Sequence, residues 1–499
     1  MGSGQNKKSL GLSAVSGMSW GLLGGAVGKL AASMAQIYAG WVLSMEDFAL
    51  FAMASSCAAV LSGLVNGGTH RILVQRAQRY DDHSFAVLLL SFLFNLVVMA
   101  ALTASAAPMA RLFDAPALEP MLAVMGLATL VSTPGHVLHA KLIGALKFGA
   151  VQGLAMCSHL VRHGSLALFA FLGMGPLSFV LPLLVISVTD TLLAWRVVRR
   201  LPPRRPVSMP ALLDVLKDSR WVMAGACAGA LVQNGDNLAV SMFADKGTLG
   251  TYFFAFQLTF AFASLLGGTL QTVAMPMLAG ISDNPGRQRQ AVERAVGAAS
   301  LASCGAATLI AVAASPVIHG LWAGKWDAAA RAVQILSLAV PAVLVSWIGK
   351  SAIEARGGWP AATCLSMAEG AGTVAAAAGG AACGGLLTIA ASVAAFKVFA
   401  GLAHVAAAAR CFGGKVRPSL APVLSSYAAM LGSLAVGRVI MPESMNPMGV
   451  GGVACTALAT VAVFVLLSLV LCRFGVCELF GIARQILQRP LKDSRGCTS

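Results

Sequence analysis

Long apolar stretches follow one another along almost the whole chain, from residue 13 to residue 472. Each is about 17 to 25 residues long, which as a helix is enough to cross a hydrocarbon core about 30 Å thick. The segments between them are too short to hold a soluble domain. Because 58% of the residues are hydrophobic and only 11% are charged, the chain has too little polar surface to cover a water-soluble globule. The sequence therefore predicts an all-α, polytopic membrane protein with about fourteen transmembrane helices.

Charge clusters and Pro or Gly residues set the boundaries of the predicted spans. In chain order we expect the spans at residues 16–43, 47–66, 84–107, 118–136, 150–172, 177–198, 219–243, 248–271, 295–315, 328–348, 361–383, 386–409, 420–440 and 450–472. Prolines inside spans, such as Pro341, remove a backbone donor and permit kinks.

The basic residues lie in the short loops, and their distribution predicts the orientation of the chain. With the N-terminus inside, most of the 35 Lys and Arg residues lie on the cytoplasmic side. The opposite side receives only Arg111, Lys246, Lys325, Arg331 and Arg438. We therefore expect both termini in the cytoplasm, with the N-terminal segment retained. The same placement explains the net charge of +16 without nucleic acid as a partner.

A basic, Pro-rich connection, RRLPPRRPVSM, divides the chain into six spans and eight. The two sides show an internal repeat offset by about 205 residues, in which MEDFALFAMAS corresponds to GTLGTYFFAFQ. The repeat predicts two six-helix lobes related in parallel, plus two appended helices. The expected parts are an N-lobe (1–198), a cytoplasmic linker (199–218), a C-lobe (219–410), the appended spans (411–472) and an amphipathic cytoplasmic tail (473–499).

Residues 43–76, LSMEDFALFAMASSCAAVLSGLVNGGTHRILVQR, resemble the opening of the polysaccharide transporter (oligosaccharide-lipid flippase) family. Met45 and Ala49 depart from its pattern, which has proline and glycine there. Further similarities follow in order: Asp236-Asn237-Leu238, then LGTYFFAFQL, then Leu321-Trp322. The resemblance implies the two-lobed fold of the multidrug/oligosaccharidyl-lipid/polysaccharide exporter superfamily and alternating access. It also implies transport of undecaprenyl-diphosphate-linked oligosaccharides across the bacterial inner membrane, with polysaccharide polymerase and glycosyltransferases as partners.

Charged side chains within spans are costly, by roughly 2.5 to 3.5 kcal/mol each, and are therefore candidates for function. The chain has six: Lys29, Arg162, Asp190, Asp236, Glu369 and Lys397. A diphosphate headgroup needs cationic donors at membrane depth, which Lys29, Arg162 and Lys397 offer. The carboxylates of Glu369, Asp236 and Asp190 are candidates for proton uptake or for lining a cavity. The alternative for all six is structural: ion pairs between spans, a buried acceptor for Asp236 and a capping group for Asp190.

The remaining patterns argue against a metal, a cofactor and an enzyme. The eleven cysteines are scattered without a CxxC pair, and we interpret them as small apolar residues. His136 and His139, and His159 and His163, form two pairs on separate helices with no carboxylate beside them in sequence, which favours a cavity-lining or interfacial role over metal binding. No catalytic motif or phosphate-binding loop is present in the sequence.

Three other functions fit the same sequence. These are a cation-coupled multidrug exporter of the same superfamily, a peptidoglycan-precursor flippase and a non-transporting membrane scaffold for glycosyltransferases. A cavity with net positive charge would favour a diphosphate substrate, whereas one dominated by Asp236 and Glu369 would favour organic cations.

Overall fold

The computed structural model describes residues 25, 27–65, 73, 80–145, 147–199, 203, 209–279, 284–440 and 450–472. These residues form fifteen α-helices and, within the ranges given, no strand. The helices are α1 (27–42), α2 (Met45–Val65), α3 (Tyr80–Leu112), α4 (Leu118–Gly144), α5 (Phe148–Phe171), α6 (Leu177–Val198), α7 (Met209–Phe243), α8 (Lys246–Ala279), α9 (Pro285–Trp322), α10 (Asp327–Ser337), α11 (Val340–Ala355), α12 (Trp359–Cys383), α13 (Leu386–Cys411), α14 (Val416–Ile440) and α15 (Val450–Leu471).

The helices confirm the predicted polytopic membrane fold. In the described part of the chain, seven are long and apolar enough to cross a membrane, and the bent pair α10–α11 makes an eighth. The predicted span 328–348 is wrong in one respect, because it is two helices bent by 43°. Pro341 lies in the first turn of α11 and has no N–H to donate to the Ser337 carbonyl, so the helix breaks there. The predicted tail (473–499) and nearly all of the loop 200–208 lie outside the described residues.

The chain divides into two compact units, residues 1–250 and 251–499. In the first unit, α3 packs on α4, α4 on α6 and α5 on α6. In the second, α9 packs on α10 and α11, α11 on α13 and α12 on α13, which is the same pattern. The two units therefore repeat one contact pattern, as an internal repeat predicts. Because α7 also packs against α2 within the first unit, the lobe boundaries at the linker remain a prediction.

The loops of the first unit alternate between its two ends as the helices run up and down. Lys246 Nζ, at the start of α8, donates to the Asp114 carbonyl in the α3–α4 loop at 2.6 Å. Gly175, in the α5–α6 loop, lies beside the Asp47 carboxylate at the start of α2. These loops therefore meet at one end of the unit. That this end faces away from the cytoplasm remains a prediction.

Small residues bring the helices close enough to pack. In the second unit, a Cβ on Gly401 of α13 would lie 2.5 Å from the Ala342 carbonyl oxygen of α11. Lipid tails are as apolar as the side chains, so the hydrophobic effect does not drive helices together within a membrane. Close van der Waals packing of this kind holds transmembrane helices together instead.

Candidate functional site

A polar network joins α4, α5 and α6 within the first unit. Asp190 of α6 contacts His139 Nε2 of α4 at 2.9 Å through its Oδ2 atom. Its Oδ1 atom accepts a hydrogen bond of 2.7 Å from the Ser158 hydroxyl of α5. The His139 and Asp190 side chains are 20% and 25% exposed, so the pair is neither dry nor fully solvated. The network gives the Asp190 carboxyl group two hydrogen-bonding partners, which offset the cost of burying it.

The close approach of α4 to α6 at this network depends on a glycine. A Cβ on Gly135 would lie 2.9 Å from Thr191 Oγ1 and 3.5 Å from Asp190 Oδ2. His136, the next residue of α4, interacts electrostatically with both His139 and Asp190. Gly135 therefore allows two histidines of α4 to approach a carboxylate of α6.

One face of α5 carries two histidines and an arginine. The rings of His159 and His163 are stacked on successive turns, with centroids 6.3 Å apart and planes inclined by 5°. Arg162 lies beside them with an exposed side chain. The sequence of α5 has no acidic residue, and among the described residues Arg162 has no carboxylate partner. A cation is thus held within a span without an ion pair.

Helix α1 brings a second cation to this face. A Cβ on Gly28 would lie 2.9 Å from the His159 ring, so α1 and α5 are in direct contact there. Lys29 follows Gly28 and is partly exposed. Of the three predicted headgroup residues, Arg162 is therefore close to one turn from His159 on α5, and Lys29 follows the α1 residue that contacts the His159 ring.

The third, Lys397, lies in a different environment in the second unit. Its side chain is buried, and Nζ is 5.7 Å and 5.8 Å from the ring centroids of Phe256 and Phe260. Such cation–π contacts stabilise a desolvated ammonium group. This environment fits the structural role of Lys397 better than contact with a headgroup.

The other two carboxylates are buried as well. Glu369 Oε2 of α12 is 3.6 Å from His404 Nε2 of α13. Asp236 of α7 is fully buried, and its Oδ1 atom accepts a hydrogen bond from the backbone N–H of Asn237 at 2.9 Å. Asp236 thus has the buried-acceptor geometry that the structural alternative predicts.

Sequence reasoning missed how the histidines combine with Asp190. The i, i+3 and i, i+4 spacings identified both histidine pairs, but the carboxylate is 51 residues from His139. Ser158 gave no signal, because a serine in a small-residue span is ordinary. Within the described ranges, no three His, Cys, Asp or Glu side chains are arranged to hold a metal ion.

Comparisons with known proteins identify one family and several solved structures with a similar fold. A family model described as "Polysaccharide biosynthesis protein" matches residues 41–331. No curated protein sequence matches the chain.

Solved structures share the fold at low identity. The lipid II flippase MurJ in an inward closed conformation is 12% identical, with a TM-score of 0.57 over 93% of this chain and 98% of MurJ. An inward-facing multidrug resistance MATE transporter of the MOP superfamily is 13% identical, with a TM-score of 0.64 over 78% of this chain and 94% of that one. A mutant of the Vibrio cholerae MATE transporter VcmN is 14% identical, with a TM-score of 0.55 over 81% of this chain and 97% of its own.

Proposed function

Because this chain belongs to the polysaccharide biosynthesis protein family, we propose that it is a flippase for lipid-linked oligosaccharides. Its substrate is a polyprenyl-diphosphate-linked repeat unit, which it moves across the bacterial inner membrane by alternating access. The translocated repeat unit is used to assemble a surface polysaccharide, such as lipopolysaccharide or exopolysaccharide. Its partners in this pathway are polysaccharide polymerase and glycosyltransferases. Both termini lie in the cytoplasm, as the distribution of basic loops indicates.

The observation that carries this proposal is Arg162, an exposed residue within a span whose guanidinium has no carboxylate partner among the described residues. An unpaired cation within a span is costly unless water or an anionic ligand offsets it. A guanidinium presents a planar fork of donors that matches the oxygens of a phosphate. Lys29 lies one residue from Gly28, which packs on His159, and so adds a second cation for the other phosphate.

The alternative hypothesis, a multidrug exporter, requires exposed carboxylates that attract organic cations. The candidates are Asp236, which is fully buried, Glu369, which is 10% exposed beside His404, and Asp190, which is 25% exposed but already bonded to His139 and Ser158. Their burial or pairing supports an anionic substrate over a cationic one. The shared fold with MurJ, a lipid II flippase, is compatible with a lipid-linked diphosphate but is equally shared with multidrug transporters.

Transport by purified protein tests this function. The chain is reconstituted into vesicles with a fluorescent undecaprenyl-diphosphate saccharide, and the fraction reaching the opposite leaflet is measured with a membrane-impermeant quencher. Loss of a hydrogen bond to a charged group costs about 1.5 to 3 kcal/mol, so Arg162→Ala should reduce transport about 10- to 100-fold. Arg162→Lys should retain part of the activity because it keeps the charge but loses the fork. Arg111→Ala, which removes an exposed arginine at the end of α3, is the matched control and should have no effect.

A deletion strain separates the alternatives in cells. Loss of surface polysaccharide, restored by the wild type and not by Arg162→Ala, supports the flippase. Unchanged polysaccharide with raised drug sensitivity would instead identify an exporter. Loss of polysaccharide combined with no transport by the purified protein would identify the scaffold.

A further inference from the structure

We propose that His139, Asp190 and Ser158 form a proton-binding site that is linked to anion binding on α5. This inference rests on the proposed function, because the anion is the substrate headgroup. Protonation of His139 would strengthen binding of the diphosphate, and binding of the diphosphate would favour uptake of the proton, since linkage between two sites is reciprocal.

The contact between His139 and Asp190 determines where the proton goes. A carboxylate only accepts hydrogen bonds, so in the 2.9 Å contact the Nε2 atom of neutral His139 carries the hydrogen. The added proton then binds at Nδ1 and produces an imidazolium beside the carboxylate. The pair changes from a net charge of −1 to zero.

This charge change takes place close to the predicted headgroup site. Ser158, which donates to Asp190, precedes Arg162 by one turn of α5, or about 6 Å along the helix axis. Asp190 therefore places a negative charge next to the face on which a diphosphate would bind, and this charge repels the ligand. A proton on His139 removes that repulsion.

Helices α1, α3, α4 and α5 bring other charged or titratable groups towards the pair. From α3, Asp81 lies 3.7 Å from Lys141 of α4, two residues from His139, so these two charges offset each other. From α4, His136 interacts electrostatically with Asp190, and its protonation would further cancel the carboxylate. From α5, Arg162 is permanently cationic, and the stacked rings of His159 and His163 lie next to it. From α1, Lys29 lies beside the His159 contact. Asp190 is the carboxylate in direct contact with His139, and a proton on His139 would cancel its charge.

A fixed structural pair explains the geometry less well. A pair that served only to hold α4 to α6 would need no opening to its surroundings, yet the two side chains are 20% and 25% exposed. The pair is therefore not sealed inside the helix bundle. Histidine is the side chain whose ordinary titration range is near neutral pH.

The test measures affinity against pH, with no transport step. The probe is undecaprenyl-diphosphate-linked N-acetylglucosamine in detergent, because a diphosphate diester keeps the same charge over the range used. The dissociation constant is measured from about pH 5.5 to about pH 8, which brackets the ordinary histidine pKa. Uptake of one proton predicts that the affinity rises as the pH falls, with a limiting slope of up to about tenfold per pH unit.

Two variants and one control identify the group. His139→Asn keeps an amide that can donate to Asp190 but binds no proton, so the slope should decrease markedly. Asp190→Asn removes the repelling charge and should bind the probe at pH 8 at least as tightly as the wild type does at pH 5.5. The control is His319→Asn, which removes the equally short 2.9 Å pair with Asp327 at the end of α9. Its slope should match that of the wild type.

The outcomes separate this inference from the proposed function. An affinity that does not vary with pH, or a slope unchanged in His139→Asn, would overturn the proton linkage and leave the flippase intact. Absence of binding at every pH, in wild-type protein that is folded, would count against the proposed function itself.

Discussion

The Nε2 atom of His404 lies 3.6 Å from the Oε2 atom of Glu369, and the two side chains are 2% and 10% exposed. The other ring nitrogen, Nδ1, is 2.9 Å from the Ala400 carbonyl oxygen. A carbonyl only accepts, so Nδ1 carries a hydrogen. Nε2 and the Glu369 carboxyl group therefore face each other across α12 and α13, in a place where neither side chain is open to the surroundings.

We predict that Glu369→Gln is tolerated and that Glu369→Ala is not. The glutamine amide can donate to Nε2 of His404, whereas alanine leaves a buried polar nitrogen unsatisfied at a cost of about 1 to 3 kcal/mol. Thermal unfolding in detergent should show a lower Tm for Glu369→Ala only. A double-mutant cycle with His404→Ala should give a coupling of about 0.5 to 3 kcal/mol, and additive effects would show that the two side chains do not interact.

A second prediction concerns Gly250, where α8 crosses the start of α2. A Cβ on Gly250 would overlap the Met45 carbonyl oxygen, a backbone atom that cannot rotate away. Gly250→Ala should therefore lower stability by about 1 to 3 kcal/mol, as overpacking does. The matched control is Gly229→Ala in α7, where a Cβ would meet nothing within 4 Å. That change should be neutral or stabilising by about 0.4 to 1 kcal/mol, because alanine restricts the unfolded chain.

Equal melting temperatures for these two glycine variants would contradict the close approach of Gly250 to Met45. If Gly250→Ala does not fold, this result supports the close approach only when Gly229→Ala still folds.

Most of the fold could be predicted from the sequence because the membrane imposes one length and one composition on every span. The predicted spans correspond in order to the observed helices. The helix ends were less predictable, since α9 continues as a helix well beyond its apolar part, from Pro285 to Trp322. The break near Pro341 was recognisable as a proline, but its 43° bend depends on packing that no local pattern contains.

The candidate site was predictable only in part. A charge inside an apolar span is visible in sequence, so all six charged residues were found. Their roles depend on neighbours that are distant in the chain. Lys397 and Arg162 look alike in sequence, yet Lys397 is buried against aromatic rings and Arg162 is exposed. The His139–Asp190 contact depends on α4 packing on α6, which the sequence alone did not reveal.

A third prediction concerns the pH dependence of stability at the start of α8. Asp245 caps this helix, with its Oδ1 atom 2.9 Å from the Thr248 backbone N–H and its Oδ2 atom 2.6 Å from the Thr248 hydroxyl. These hydrogen bonds lower the pKa of Asp245. A carboxylate whose pKa is lower in the folded state stabilises the fold above its unfolded-state pKa, and this stabilisation is lost as the pH falls through the folded-state pKa.

We therefore expect Asp245→Ala to cost about 0.5 to 2 kcal/mol at neutral pH and less in acid. Asp245→Asn keeps an uncharged capping oxygen, so it should retain much of the stability at neutral pH and lose this part of the pH dependence. The measurement is the Tm of the three proteins against pH. A difference between the wild type and Asp245→Asn that stays constant from neutral to acid pH would argue against the ionised cap.

A fourth prediction tests the orientation of the chain with two cysteines that end consecutive helices. Cys383 ends α12 and Cys411 ends α13, and both are exposed. Because α12 and α13 are antiparallel neighbours joined by a short turn, their last residues lie at opposite ends of the bundle. The excess of basic residues in the loops on the Cys411 side predicts that Cys411 is cytoplasmic and Cys383 is not. In single-cysteine proteins, a membrane-impermeant maleimide applied to spheroplasts should label Cys383 at once and Cys411 only after permeabilisation. The reverse labelling pattern would show that the topology is opposite to the predicted one. The loops that contain most of the basic residues would then lie outside the cytoplasm, on the side opposite to the one where the diphosphate is expected to bind.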